Sequence, residues 1–145
     1  MYALVDCNNF FVSCERVFDS RLEGKPVIVL SNNDGCAIAR SNEAKALGIT
    51  MGANYFEIER LVKKNDVQVF STNFVLYADM SLRVKGLLSG FCPDIEDYSI
   101  DYHKLNIIKS QDYTLLIFSI FQSLLLRSAF DKNILFSGLN VRCSL

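Results

Sequence analysis

A chain of 145 residues has room for one ordinary domain or for part of a larger protein, and excludes a multidomain machine. Half of its residues are hydrophobic and 21% are charged, with two prolines and seven glycines; such a composition can bury a core, and it rules out collagen-like, linker-like and disordered chains. The formal net charge of −1 gives no global positive field to recruit nucleic acid, so any affinity for DNA requires a local basic patch.

The charge is unevenly spread. Residues 1–101 carry 10 Lys and Arg against 14 Asp and Glu, whereas residues 102–145 carry 5 against 2. Five cysteines at 7, 14, 36, 92 and 143 form an odd set without a C-x-x-C pair, and Asp6 interrupts the apolar start too early for a secretory leader. Reduced thiols in a cytoplasmic protein are expected. Zinc is not, since the only histidine is His103 and structural zinc sites pair close ligands.

The first element is an apolar run, Tyr2-Ala-Leu-Val-Asp6, that predicts a buried strand ending in a carboxylate. Asn8-Asn9 marks a turn, and Phe10 to Phe18 a short helix. Val27 to Ser31 is β-branched and apolar; with Cys36 to Arg40 it flanks Asn32-Asn33-Asp34-Gly35, a hairpin signal. Asn42 to Leu47 favours a helix stopped at Gly48, and Asn54 caps a second one running to Lys64, where Lys63 and Lys64 complement the helix dipole. Val67 to Phe70 predicts a strand. Asn73 to Gly90 predicts a long helix burying Phe74, Tyr77, Ser81, Val84 and Leu88, and Ile95 to Asp101 a last strand, again ending in aspartate. The order implies an α+β fold, with an antiparallel or mixed sheet carrying helices on one face.

Beyond Asp101 the character changes. The run from Tyr113 to Leu126 is about 14 residues long and interrupted by Ser119, Gln122 and Ser123, short of the ~20 apolar residues that span a bilayer. A buried or interfacial helix is expected there, and no stable membrane span.

Asp6 and Asp101 would meet if their strands are neighbours, and paired carboxylates suit Mg²⁺, which takes oxygen ligands and shares itself with phosphates. Alone, an aspartate at a strand end is more often a turn former. Phe10 and Phe11 read as core aromatics or as a ring beside a nucleotide. Arg40 and Lys45 straddle a strand-to-helix junction where cations can meet phosphates or simply face solvent. His103 has no partner at triad spacing, and no G-x-G-x-x-G or phosphate-loop lysine motif is present.

Taken together, Asp6-x-Asn-x-Phe-Phe-x-x-Cys-Glu15, Gly24-Lys-Pro-Val, Leu30-Ser-Asn-Asn-Asp-Gly-Cys-x-Ile-Ala-Arg40, Glu43-Ala-Lys-Ala-Leu-Gly48, Met51-Gly52, Leu76-Tyr-Ala-Asp-Met-Ser81 and Tyr98-Ser-Ile-Asp101 resemble, in order, the opening of a UmuC-like Y-family translesion DNA polymerase. The resemblance implies a partial ferredoxin-like (βαββαβ) palm with a fingers insertion. It also implies Mg²⁺ held by Asp6, Asp101 and the backbone carbonyl of Cys7, with Phe11 as a steric gate against a ribose 2′-hydroxyl. Asn42 and Lys45 would lie at the incoming triphosphate, and Arg40 near the nascent base pair. Primer-template DNA and dNTP are the implied partners, with a UmuD-type accessory subunit and a sliding clamp in the intact family, whose work is DNA repair after damage in the SOS response.

Two departures qualify the function. Where the family continues Ser-Ile-Asp-Glu this chain has Tyr102, a phenol in place of a metal-site carboxylate. The motifs stop at Asp101, so residues 1–101 are expected to be a palm and fingers fragment and residues 102–145 an unrelated tail, fused or frame-shifted. The chain is therefore expected to be catalytically inactive, or to serve as a non-catalytic fragment that binds nucleotide, DNA or a partner.

Overall fold

The computed structural model describes residues 2–90, 92, 94–106 and 139–144, with only the backbone of Tyr2, Ala3 and 139–144. The run from Tyr113 to Leu126 lies outside the described residues. Two compact units are present: residues 1–8 with 75–145, and the segment Asn9–Phe74 inserted between them in the chain.

In the first unit, β1 (Tyr2–Cys7) lies inside a four-stranded sheet. It pairs antiparallel with β6 (Tyr102–Asn106) on one side and with β7 (Leu139–Ser144) on the other; β5 (Ile95–Asp97) extends the sheet beyond β6. The period of two separates the faces. Val5 and Cys7 are buried, as are His103 and Leu105, while Leu4, Asp6, Tyr102 and Lys104 are only half-buried. The helix α4 (Phe74–Ser89) buries Tyr77, Met80, Val84 and Leu88, and its Lys85 forms an ion pair with Asp97 of β5.

The second unit holds α1 (Phe10–Phe18), β2 (Val27–Leu30), β3 (Ala37–Arg40), α2 (Asn42–Ala46), α3 (Tyr55–Lys64) and β4 (Gln68–Ser71). Its sheet has the order β3-β2-β4, antiparallel on the β3 side and parallel on the β4 side. All four residues of the central β2 are buried, as expected for a strand covered on both faces. Ile28, Leu30, Ala37, Ala44, Ile49, Val62 and Val67 form its core cluster, packed against Leu47, Tyr55, Ile58 and Leu61.

Most predicted elements appear within a residue or two of their expected limits, and the α+β class holds. Three details differ. The strands form two sheets instead of one, because β2 finds its partners within the inserted segment and none of the strands of the first unit. On α4 the buried position is Met80, while Phe74 is 48% exposed.

The third difference concerns Asp101. The predicted strand from Ile95 to Asp101 stops at Asp97, and residues 98–101 turn the chain back into β6. The turn is closed by the Tyr98 and Ser99 amides, both donating to the Tyr102 carbonyl at 3.1 Å. Asp101 thus precedes a strand; it does not end one. Residues 102–106, expected beyond the family segment, form a strand paired with both β1 and β5.

Candidate metal and nucleotide site

The first group of candidate residues is built by the pairing of β1 with β6. Register sets Asp6 opposite Tyr102, so the two side chains share one face of the sheet. One step further, the Cys7 amide donates to the Asp101 carbonyl at 3.0 Å. The backbones of Cys7 and Asp101 are thereby joined, next in register to Asp6 and Tyr102. The Ser99 hydroxyl donates to Oδ1 of Asp101 at 2.5 Å, fixing that carboxylate within the turn.

The electrostatics report the same closeness. Burial first, then the negative charges of Asp6 and Asp101, push the Cys7 thiol up to about 12. A sulfhydryl so placed is neutral at physiological pH and supplies no thiolate ligand. Beside it stand two half-buried aspartates, Asp6 in β1 and Asp101 in the turn before β6.

That donor set suits Mg²⁺, which is usually held by one or two carboxylates and completes its shell with water and substrate phosphate. Among the described residues no group of three or more His, Cys, Asp or Glu side chains could hold a metal ion, so an all-protein cage is not offered. Tyr102, across from Asp6 in register, packs its ring edge-on against Tyr98 with centroids 5.9 Å apart. A phenol is a poor Mg²⁺ ligand compared with a carboxylate.

The second group lies in the inserted unit. Ser41, buried between β3 and α2, caps α2: its hydroxyl accepts from the Ala44 amide at 3.1 Å and from the Val27 amide at 3.0 Å. This sets Asn42 and Lys45 one turn apart on an exposed stretch of α2. Lys45 Nζ donates to Oδ1 of Asn9 at 2.7 Å, and Asn9 Nδ2 donates to Oδ1 of Asn42 at 3.1 Å. Arg40, at the end of β3, donates from Nη1 to the Ile49 carbonyl at 2.9 Å, while its buried Nε has no hydrogen-bond partner. Phe11 on α1 meets Phe74 edge-on, with centroids 6.2 Å apart, and Phe10 at 5.9 Å.

Sequence reading missed an ion pair between the buried Arg16 and a partly exposed glutamate of α2. Arg16 on α1 donates to Oε2 of Glu43 at 2.9 Å and to the carbonyls of Lys25 and Leu22 at 2.9 and 3.2 Å. Its only sequence signal is a charged residue at an otherwise apolar helical position. Burial raises the Glu43 carboxyl, but the Ser41 hydroxyl, its own amide and the Arg16 guanidinium together hold it below the usual range. His103 takes no part in either group: it is buried, with Nδ1 3.2 Å from Oδ1 of Asp97.

Comparison with known proteins bears out the resemblance. Residues 5–115 match the IMS, impB/mucB/samB family, a match that runs past Asp101. Protein ImpB and Protein UmuC of Salmonella typhimurium are each 54% identical over 101 residues, 70% of this chain and 24% of theirs. DNA polymerase IV of Bacillus anthracis is 38% identical over 106 residues, 71% of this chain and 25% of that protein. The chain thus spans about a quarter of the length of these relatives.

Among solved structures, DinB from Sulfolobus solfataricus superposes with a TM-score of 0.82 at 20% identity, covering 99% of this chain and 42% of that one. An insertion ternary complex of Dbh DNA polymerase gives 0.76 at 23% identity, covering 88% and 40%. At these identities the likeness is one of fold. With a family match over three quarters of its length, the chain belongs to the impB/mucB/samB family and is a UmuC-like, Y-family protein.

Proposed function

We propose that this chain is the palm and fingers portion of a UmuC-like translesion DNA polymerase, able to hold a dNTP with Mg²⁺ but unable by itself to extend a primer. The intact family reaction is template-directed nucleotidyl transfer past damaged DNA, in the cytoplasm. The observation that carries the reading is the Cys7 to Asp101 backbone hydrogen bond, which ties the turn that holds Asp101 to the strand that holds Asp6. Support comes from the relatives named UmuC and DNA polymerase IV, and from a fold like that of Dbh in its ternary complex.

In this reading Asp6, Asp101 and the Cys7 carbonyl hold the ion, and Ser99 steadies Asp101. When bound, Mg²⁺ would neutralise phosphate charge and lower the pKa of the primer hydroxyl. Lys45 and Asn42 meet the triphosphate as a cation and an amide, and the Phe11 ring, held by Phe74, excludes a 2′-hydroxyl from the sugar position. Arg40 lies by the nascent base pair.

One feature argues for inactivity. Tyr102 replaces an acidic ligand, and transition-state charge in such sites is stabilised by several kcal/mol through well-placed charged groups. The 101-residue extent of the ImpB and UmuC matches suits a change of origin beyond Asp101, whereas the family match itself runs on to residue 115. UmuD-type and clamp partners belong to the intact family.

Primer extension with Mg²⁺ and all four dNTPs, comparing the chain with Tyr102→Glu, tests the claim. No extension is expected from the unmodified chain; robust extension would contradict it.

A further inference from the structure

We propose that Asn9 is a positioning residue for the ammonium of Lys45, and that this brace sets the affinity of α2 for a nucleotide triphosphate. The ligand's identity rests on the reading above, whereas the brace itself rests on geometry.

Asn9 is the N-cap residue of α1, and asparagine there ordinarily turns its side chain onto the first amides of the helix. This one does not: no side-chain capping bond is made. The backbone is left-handed, with φ 51 and ψ 39, a conformation that asparagine and glycine tolerate far better than other residues. The amide is directed to α2 instead, accepting from Lys45 at 2.7 Å and donating to Asn42 at 3.1 Å.

A lysine ammonium on a four-carbon stem has much rotamer freedom to lose when a ligand fixes it. Ordering that group before the ligand arrives removes part of this cost from binding. Asn9 is suited to the task because α2 is already tied down from below, through Arg16 to Glu43 and through the buried cap of Ser41. Losing the Asn9 side chain therefore frees the Lys45 head group without loosening the helix that carries it.

The test uses the full chain with ¹⁵N-labelled lysine and the variants Asn9→Gly, which keeps the left-handed backbone, Lys45→Ala, and the two combined. In the unmodified chain the slowly exchanging ε-ammonium signal of Lys45, identified by its loss in Lys45→Ala, should collapse into the fast-exchanging pool in Asn9→Gly, while those of the ion-paired Lys63, Lys85 and Lys104 persist. Affinity for dATP with Mg²⁺ should fall roughly three- to tenfold in Asn9→Gly, the worth of a hydrogen bond, and by no further factor once Lys45 is alanine.

Asn9→Asp, which keeps the acceptor for Lys45 and tolerates the same backbone, should retain the signal and serves if the glycine variant does not fold. An ammonium signal unchanged in Asn9→Gly, or an equal loss of affinity with and without Lys45, overturns the proposal. If the unmodified chain binds no nucleotide, the assigned ligand fails, and the collapse or persistence of the ammonium signal still decides the brace.

Discussion

At the scale of single residues, Cys7 concentrates the physics of the site. It lies 2% exposed between two aspartates, so its thiol is kept protonated first by lost hydration and then by repulsion from neighbouring charge. In the folded chain at pH 8, iodoacetamide should modify the half-buried Cys36 well before Cys7; mass spectrometry after timed labelling reads the order. Labelling of Cys7 as fast as in urea would refute its placement. Asp6→Asn should bring the thiol down only partly, because burial is the larger cause. The carboxylates were legible in the sequence, since each closes or opens a strand-like run. Arg16 and Asn9 were not, because their roles depend on partners 27 to 36 residues away.

Arg16 supplies a second residue-scale prediction. It is a mostly buried cation with three oxygen partners, and removing one side of such a set strands the other. Arg16→Met should cost about 2 to 4 kcal/mol in urea unfolding. The pH dependence has a definite sign. The Glu43 carboxyl is lowered in the fold, so its contribution is present above the ordinary glutamate pKa and is lost as pH falls through the lowered folded value. Glu43→Gln should flatten the acid limb of the stability curve; an unchanged limb would show that the pair contributes nothing there.

At the scale of elements, the reading succeeded where local signals are strong. Asn54 caps α3 through the Phe56 amide at 3.0 Å, and Gly48 takes φ +84 after α2, as a C-terminal stop requires. The hairpin joining β2 to β3 is present, with Asp34 in the left-handed region at φ 52. The reading failed between Asp97 and Tyr102, because an alternating run cannot reveal that three backbone hydrogen bonds fold it into a turn. It also placed Phe74 on the buried face of α4, when burial falls on Met80. On that helix, Leu88→Ala should cost about 2 to 4 kcal/mol, while Val75→Ala, at an 84% exposed position, should stay within about 0.5 kcal/mol. Thermal or urea unfolding of both variants checks the contrast.

At the scale of the whole molecule, the sequence motifs identified the family, and no composition or charge argument could have done so: a net charge of −1 points to no partner. The division into two units was beyond reach, because strand partners are chosen over long separations. β1 pairs with residues 102–106 and 139–144, whereas β2 pairs within the inserted segment. Among the described residues no helix is long and apolar enough to cross a membrane. The central claim is that Asp6 and Asp101 form a metal-dependent nucleotide site in a chain that does not polymerise. The most direct measurement is titration of the full chain with a fluorescent dATP analogue, with Mg²⁺ and with EDTA, for the unmodified protein and for Asp6→Ala and Asp101→Ala. Saturable binding that requires Mg²⁺ and disappears in both variants, with no accompanying primer extension, is the predicted result. Binding indifferent to Mg²⁺ or to either aspartate, or no binding by a folded chain, would contradict it.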